Sequence, residues 1–80
     1  MLETLKTAKR VVGVKQIRKA LKENQALTVF LADNADPQLT DPIAALCEQD
    51  GVCIVRVKTM QELGKACSIA VGAAAAAIVR

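Results

Sequence analysis

At 80 residues the chain has room for one domain with a lean core, and a second does not fit. It contains no histidine, tyrosine or tryptophan and a single phenylalanine. The commonest general base and any aromatic platform for stacking bases are therefore missing, which argues against an enzyme and against the stacking class of single-strand binders. The net charge of +3 is uneven: residues 1–22 carry seven Lys/Arg against Glu3, a balance of +6, while residues 23–80 balance at −3. A basic end of this kind faces a partner, and a polyanion is the first candidate.

In chain order, Leu2, Leu5 and Ala8 lie three apart, which predicts a short helix over the first ten residues. Val11 and Val12 read as a brief extended segment. Gly13 then opens an amphipathic helix through Lys22, with Ile17, Ala20 and Leu21 on its buried face and Lys15, Arg18, Lys19 and Lys22 on the other. Glycine at the cap leaves the first-turn amides open to an outside acceptor. Lys15 sits in that first turn, where the helix dipole disfavours a cation, and a local rule broken in this way points to a site for an anion or a set of acceptors. An indifferent lysine on a solvated face accounts for Lys15 equally well.

Asn24 is an end signal for this helix. Leu27 to Ala32 is an apolar run rich in strand formers, closed by the turn cluster Asp33-Asn34-Ala35-Asp36-Pro37. Thr40-Asp41-Pro42 offers a cap with proline in the first turn, predicting a helix with Ile43, Leu46 and Cys47 inward and Gly51 at its end. Val52 to Val57 is the next strand, with Arg56 bound for a surface or a partner. Thr59-Met60-Gln61-Glu62 matches a capping box, so a short helix with Met60, Leu63 and Cys67 on its apolar side follows. Ser68 to Gly72 is an apolar loop, and Ala73 to Val79 is read as a strand despite its alanines, because strands and helices alternate before it.

The chemistry available is limited. Cys47, Cys53 and Cys67 show no CxxC spacing and sit among apolar neighbours, so all three are expected in the core of a protein from a reducing compartment. Their spacing offers no zinc site, and no cofactor is expected. Gly64-Lys65-Ala66 lacks the glycine and the hydroxyl of a phosphate loop, and the Asp33/Asp36 pair is explained by turn capping. No catalytic residue emerges. Met1 to Arg10 does not read as a secretory signal, and the run from Ile69 to Val79 is too short to span a bilayer, so a cytoplasmic protein without a membrane or a small-molecule substrate is expected. If Ile69 and Val71 are exposed they form an apolar patch beside the basic helix, but the residues alone favour their folding under into the core.

Gly13-Val14-Lys15-Gln16 with Lys19, Val29-Phe30-Leu31-Ala32 into Asp33-Asn34-Ala35-Asp36-Pro37, Leu46-Cys47-Glu48, Leu63-Gly64-Lys65-Ala66 and the Ile69-Ala70-Val71 loop stand in an order that closely resembles the kink-turn-binding ribosomal protein family, most of all its small bacterial members. The resemblance runs over nearly the whole chain. It implies an α/β fold, a three-layer α/β/α sandwich around a mixed four-stranded sheet, with residues 1–80 as a single RNA-binding domain. It also implies an RNA partner bent at tandem sheared G·A pairs with one flipped-out nucleotide. By the family pattern Gly13 lets the backbone approach, Val14, Lys15 and Gln16 lie at guanine edges, Lys19 meets phosphate, and Ile69, Ala70 and Val71 cover the flipped base. Arg18 and Lys22 complete the basic stripe. Lys15 and Gln16 stand where the family commonly has Asn and Glu, and Ser68 and Ala70 where it commonly has Gly and Glu. A monomer is expected. Two other readings stand beside this one: a module docking on a protein through the basic helix without reading RNA, and a small thiol-redox or metal protein.

Overall fold

The computed structural model describes residues 8–80. Most of the helix expected over the first ten residues lies outside them. Four strands, β1 (Arg10–Val12), β2 (Ala26–Ala32), β3 (Cys53–Val57) and β4 (Ala75–Val79), alternate with three helices, α1 (Val14–Lys22), α2 (Pro37–Asp50) and α3 (Met60–Ala66). The sheet order is β1-β4-β2-β3. β4 runs antiparallel to both β1 and β2, and β2 and β3 are parallel, so the sheet is mixed.

The layers follow from strand periodicity. Val29 and Leu31 of β2 face one way with Ala75, Ala77 and Val79 of β4, and they pack against Ile17, Ala20 and Leu21 of α1 and Ile43 and Cys47 of α2. Phe30 and Ala32 face the other way with Ala76, against Leu63, Ala66 and Cys67 around α3. β4 is a central strand buried on both faces, and its alanines are fully enclosed. That environment overrides the helical preference of alanine, as the alternation of elements led one to expect.

Two expectations are corrected. α2 begins at Pro37 rather than near Pro42, because Asp36 supplies an earlier cap: its Oδ1 accepts a hydrogen bond from the Gln38 amide at 2.9 Å, and Pro37 occupies the first turn. Starting there turns Thr40 inward, where it is buried, and leaves Pro42 inside the helix. Cys53 is exposed, whereas Cys47 and Cys67 are buried as expected. Cys53 sits at the start of β3, an edge strand of the sheet. The residue pattern gave no sign of this, because it is set by strand order.

Burial pushes the Cys47 thiol up in pKa, reinforced by Asp50; burial also pushes Cys67 up, against a lowering pull from Arg10. The folded chain thus keeps both thiols protonated at a pH where the unfolded chain ionises them. This contribution to stability is full below the ordinary thiol range and declines as pH rises through it. In the native state at neutral pH Cys53 is expected to react with a thiol reagent at once, and Cys47 and Cys67 only as the protein unfolds. Mass spectrometry counting one fast and two slow sites checks this; three fast sites would contradict the two core assignments.

Candidate nucleic-acid interface

Strand direction decides what meets what. The C-terminal ends of β1, β2 and β3 and the N-terminal end of β4 lie at one end of the sheet. The start of α1, the 33–37 turn, the start of α3 and the loop before β4 therefore share that end. Gly13 has φ 105 and ψ 148, a conformation that costs an L side chain dearly. In it the Gly13 amide donates to the Ala75 carbonyl at 3.1 Å while its own carbonyl accepts from the Ile17 amide at 3.1 Å. The chain thus turns directly from β1 into α1. Among the described residues no side chain caps the helix, and its first turn holds no acid, so the amides there and the exposed Lys15 present a positive end.

Lys15, Gln16, Arg18, Lys19 and Lys22 are all exposed, while Val14 is half-buried against the core beneath α1. Gln16 and Lys19 line a shallow cavity of about 260 Å³ with Lys9 and Arg80 along the β1 side, and Lys19 also joins Arg18 and Lys22 in lining a cleft of about 610 Å³ with Leu46 and Asp50 of α2. Lys22 closes the helix, roughly 10 Å along the axis from Lys15 and away from the loop end of the sheet.

The apolar loop is exposed. Ile69 is 37% and Val71 70% accessible, and Ala70 is exposed between them. The preference for their folding under is overturned, and the cause is the way α3 ends. The Ser68 amide donates to the Lys65 carbonyl at 3.0 Å and the Ile69 amide to the Gly64 carbonyl at 3.1 Å, with Ser68 at φ 62. In this closure the residue in the position of Ile69 ordinarily packs on the side chain in the position of Gly64. Gly64 has none, so Ile69 is left at the surface. Gly64 must be bare, because a Cβ there would collide with the Val71 carbonyl oxygen. The same closure ends α1 at Asn24 (φ 56) and α2 at Gly51 (φ 69).

With the geometry in place, the comparisons with known proteins are direct. The family model described as "Ribosomal protein L7Ae/L30e/S12e/Gadd45 family" matches residues 1–80. The chain belongs to this family. It is 46% identical over 78 residues to the RNA-binding protein GWCH70_0105 of Geobacillus sp. (strain WCH70), covering 98% of this chain and 95% of that one. It is 42% identical, with the same coverage, to the RNA-binding protein YbxF of Geobacillus stearothermophilus. The large ribosomal subunit protein eL8 of Halobacterium salinarum is 35% identical over 98% of this chain and 69% of its own length. Among solved structures, a Giardia lamblia 15.5kD RNA binding protein superimposes with a TM-score of 0.90 at 27% identity, over 99% of this chain and 70% of that one. The resemblance to small bacterial members of the family stands, and these relatives carry the names of binding proteins rather than enzymes.

Within the L7Ae-type fold, four residues around the loop escaped the sequence reading. Arg10 donates through a guanidinium nitrogen to the Cys67 carbonyl at 2.8 Å. Asn34 Oδ1 accepts from the Met60 amide at 2.8 Å, and the Met60 carbonyl in turn accepts from the Ala73 amide at 2.9 Å. A Cβ on Gly72 would press on Met60 at 3.1 Å. In the sequence Arg10 reads as charge, Asn34 as part of a turn cluster in the family pattern, Gly64 as part of a failed phosphate loop and of the family pattern, and Gly72 as the end of the apolar loop, and none of the four is assigned a role in holding that loop. The capping box was legible: Thr59 Oγ1 accepts from the Glu62 amide at 3.1 Å. Among the described residues no group of three or more His, Cys, Asp or Glu could hold a metal, and no helix is long and apolar enough to cross a membrane.

Ser68 gives a further expected result. A non-glycine residue in the left-handed region costs about 1 kcal/mol, and the extra unfolded-state freedom of glycine returns about half of that. Ser68→Gly is therefore expected to stabilise the fold by roughly 0.5 kcal/mol, read as a higher denaturant midpoint at unchanged slope.

Proposed function

We propose that the protein binds kink-turn RNA as one domain spanning residues 1–80, reading the tandem sheared G·A pairs with the start of α1 and covering a flipped-out nucleotide with the Ile69–Val71 loop. The observation that carries this reading is the meeting, at one end of the sheet, of an uncapped basic helix opened by a left-handed glycine and an exposed apolar loop. The RNA-binding names of the bacterial relatives support the choice of RNA over a protein-docking module.

Each part has a chemical task. Gly13 and the half-buried Val14 let the helix start approach a groove without a projecting side chain. Lys15 donates to guanine O6 and N7, and the Gln16 amide donates or accepts at the neighbouring edge, with less charge assistance than a carboxylate would give when accepting. Lys19 meets phosphate, and Arg18 and Lys22 add backbone attraction. Ile69, Ala70 and Val71 offer aliphatic surface to an unstacked base, which suits a chain without aromatic platforms. The protein acts as a monomer in the cytoplasm, without a cofactor, in a ribosomal or ribosomal-protein-like setting.

Titration calorimetry with a kink-turn RNA and the same RNA carrying G·A to G·C changes tests the proposal. Tight binding of the first and weakened binding of the second is expected, with log K falling against log salt at a slope of roughly −2 to −3 for about three phosphates neutralised. Equal affinity for both RNAs, or a flat salt response, would overturn it.

A further inference from the structure

We infer that Arg10 and Asn34 are positioning residues that clamp the two ends of the apolar loop, so that recognition of an unstacked nucleotide depends on two side chains outside the basic helix and outside the loop itself. This rests on the proposed RNA reading.

The loop has little to hold it from within. Ser68 to Gly72 are all exposed, and Ser68 is in a left-handed conformation. Its shape is set at its borders. At the leading border the Arg10 guanidinium reaches from β1 to the Cys67 carbonyl, a hydrogen bond between residues 57 apart in sequence. This carbonyl belongs to Cys67, the residue that caps the C-terminal end of α3, and carbonyls at a helix end have no partner within the helix, so the bond also satisfies a group the helix leaves open. At the trailing border Asn34 Oδ1 holds the Met60 amide, and Met60 in turn holds Ala73 through its carbonyl and confines Gly72 against its Cβ. Asn34 thus fixes the start of α3 and the end of the loop through one residue. The charge of Arg10 is already directed at a carbonyl, which distinguishes it from the lysines of α1, whose side chains make no hydrogen bond or ion pair among the described residues.

The chemistry specifies the test. Asn34 is needed as an acceptor and Arg10 as a donor, so Asn34→Ala and Arg10→Ala remove each clamp, while Asn34→Asp and Arg10→Lys keep it. Affinity is measured for a kink-turn RNA with its flipped-out nucleotide and for the same RNA with that nucleotide deleted, with a denaturation curve for every variant. The expected result is that each alanine variant lowers the preference for the intact RNA by about fivefold, the scale of one net hydrogen bond, while Asn34→Asp and Arg10→Lys restore most of it. The proposal is overturned if Arg10→Ala weakens both RNAs alike and reduces the salt slope, since Arg10 would then be a phosphate contact. It is equally overturned if the alanine variants leave the preference unchanged, or if the conservative variants fail to rescue it. A wild-type protein indifferent to the nucleotide would instead refute the RNA reading on which the clamp rests.

Discussion

Gly64→Ala is expected to lower both the stability of the protein and its preference for an RNA with an unstacked nucleotide. In a solvated helix the same change would stabilise by about 1 kcal/mol, because alanine is the better helix former. Here the added methyl group meets the Val71 backbone carbonyl, a neighbour with no rotamer through which to yield. The carbonyl cannot drift freely, since Ala73 is hydrogen-bonded to Met60 and Gly72 lies against the Met60 side chain. Overpacking of this kind costs about 1 to 3 kcal/mol, and more where backbone must move, so it outweighs the propensity gain. A net loss of about 1 to 2 kcal/mol should lower the melting temperature by roughly 5 to 15 °C in a chain of this size. Thermal unfolding of Gly64→Ala beside Lys65→Ala, at the exposed neighbouring position, checks it. A Gly64 variant as stable as the Lys65 variant would show that the loop yields without cost.

Lys15→Ala and Lys22→Ala are expected to differ in kind. Lys15 stands in the first turn of α1 at the loop end of the sheet; Lys22 closes the helix over the cleft shared with Leu46 and Asp50. Loss of a donor at guanine edges costs about 1 to 3 kcal/mol and falls mainly on the RNA with intact G·A pairs. Loss of one backbone contact weakens all RNAs alike and lowers the salt slope by less than about one unit. Calorimetry on the intact and G·C-substituted RNAs at two salt concentrations separates the two. Equal losses with discrimination untouched in both variants would leave α1 as a basic patch and remove its reading role.

The elements of this chain are set by local chemistry, and so they were open to a reader of the sequence. Gly13 before an amphipathic stretch, Thr59 three residues ahead of Glu62 and Gly51 after a helical face each act within one turn of chain, and each did what its residue type requires. The start of α2 was misplaced because two Asp/Thr-Pro signals compete there. Burial of Ile43 and Cys47 is compatible with either, and the Asp36 carboxylate takes the earlier amide, that of Gln38. The uneven charge and the stripe on α1 were likewise visible, because exposed charge needs no partner to be recognised.

Tertiary structure alone decided the rest. Alanines prefer helix, and Ala75 to Ala77 became strand because β1 and β2 flank them and both faces are covered. Cys53 is exposed although its neighbours are apolar, since edge or centre is a property of strand order. The loop depends on this most. Whether Ile69 and Val71 turn in or out is undetermined by their own hydrophobicity, and the outcome follows from Gly64 withholding the side chain on which Ile69 would pack, from the Val71 carbonyl occupying that space, and from Arg10 and Asn34 reaching across 57 and 26 residues to hold the borders. Contacts at such separations exist only once the sheet has formed, which is why the sequence by itself determined the parts and the fold determined the surface they make.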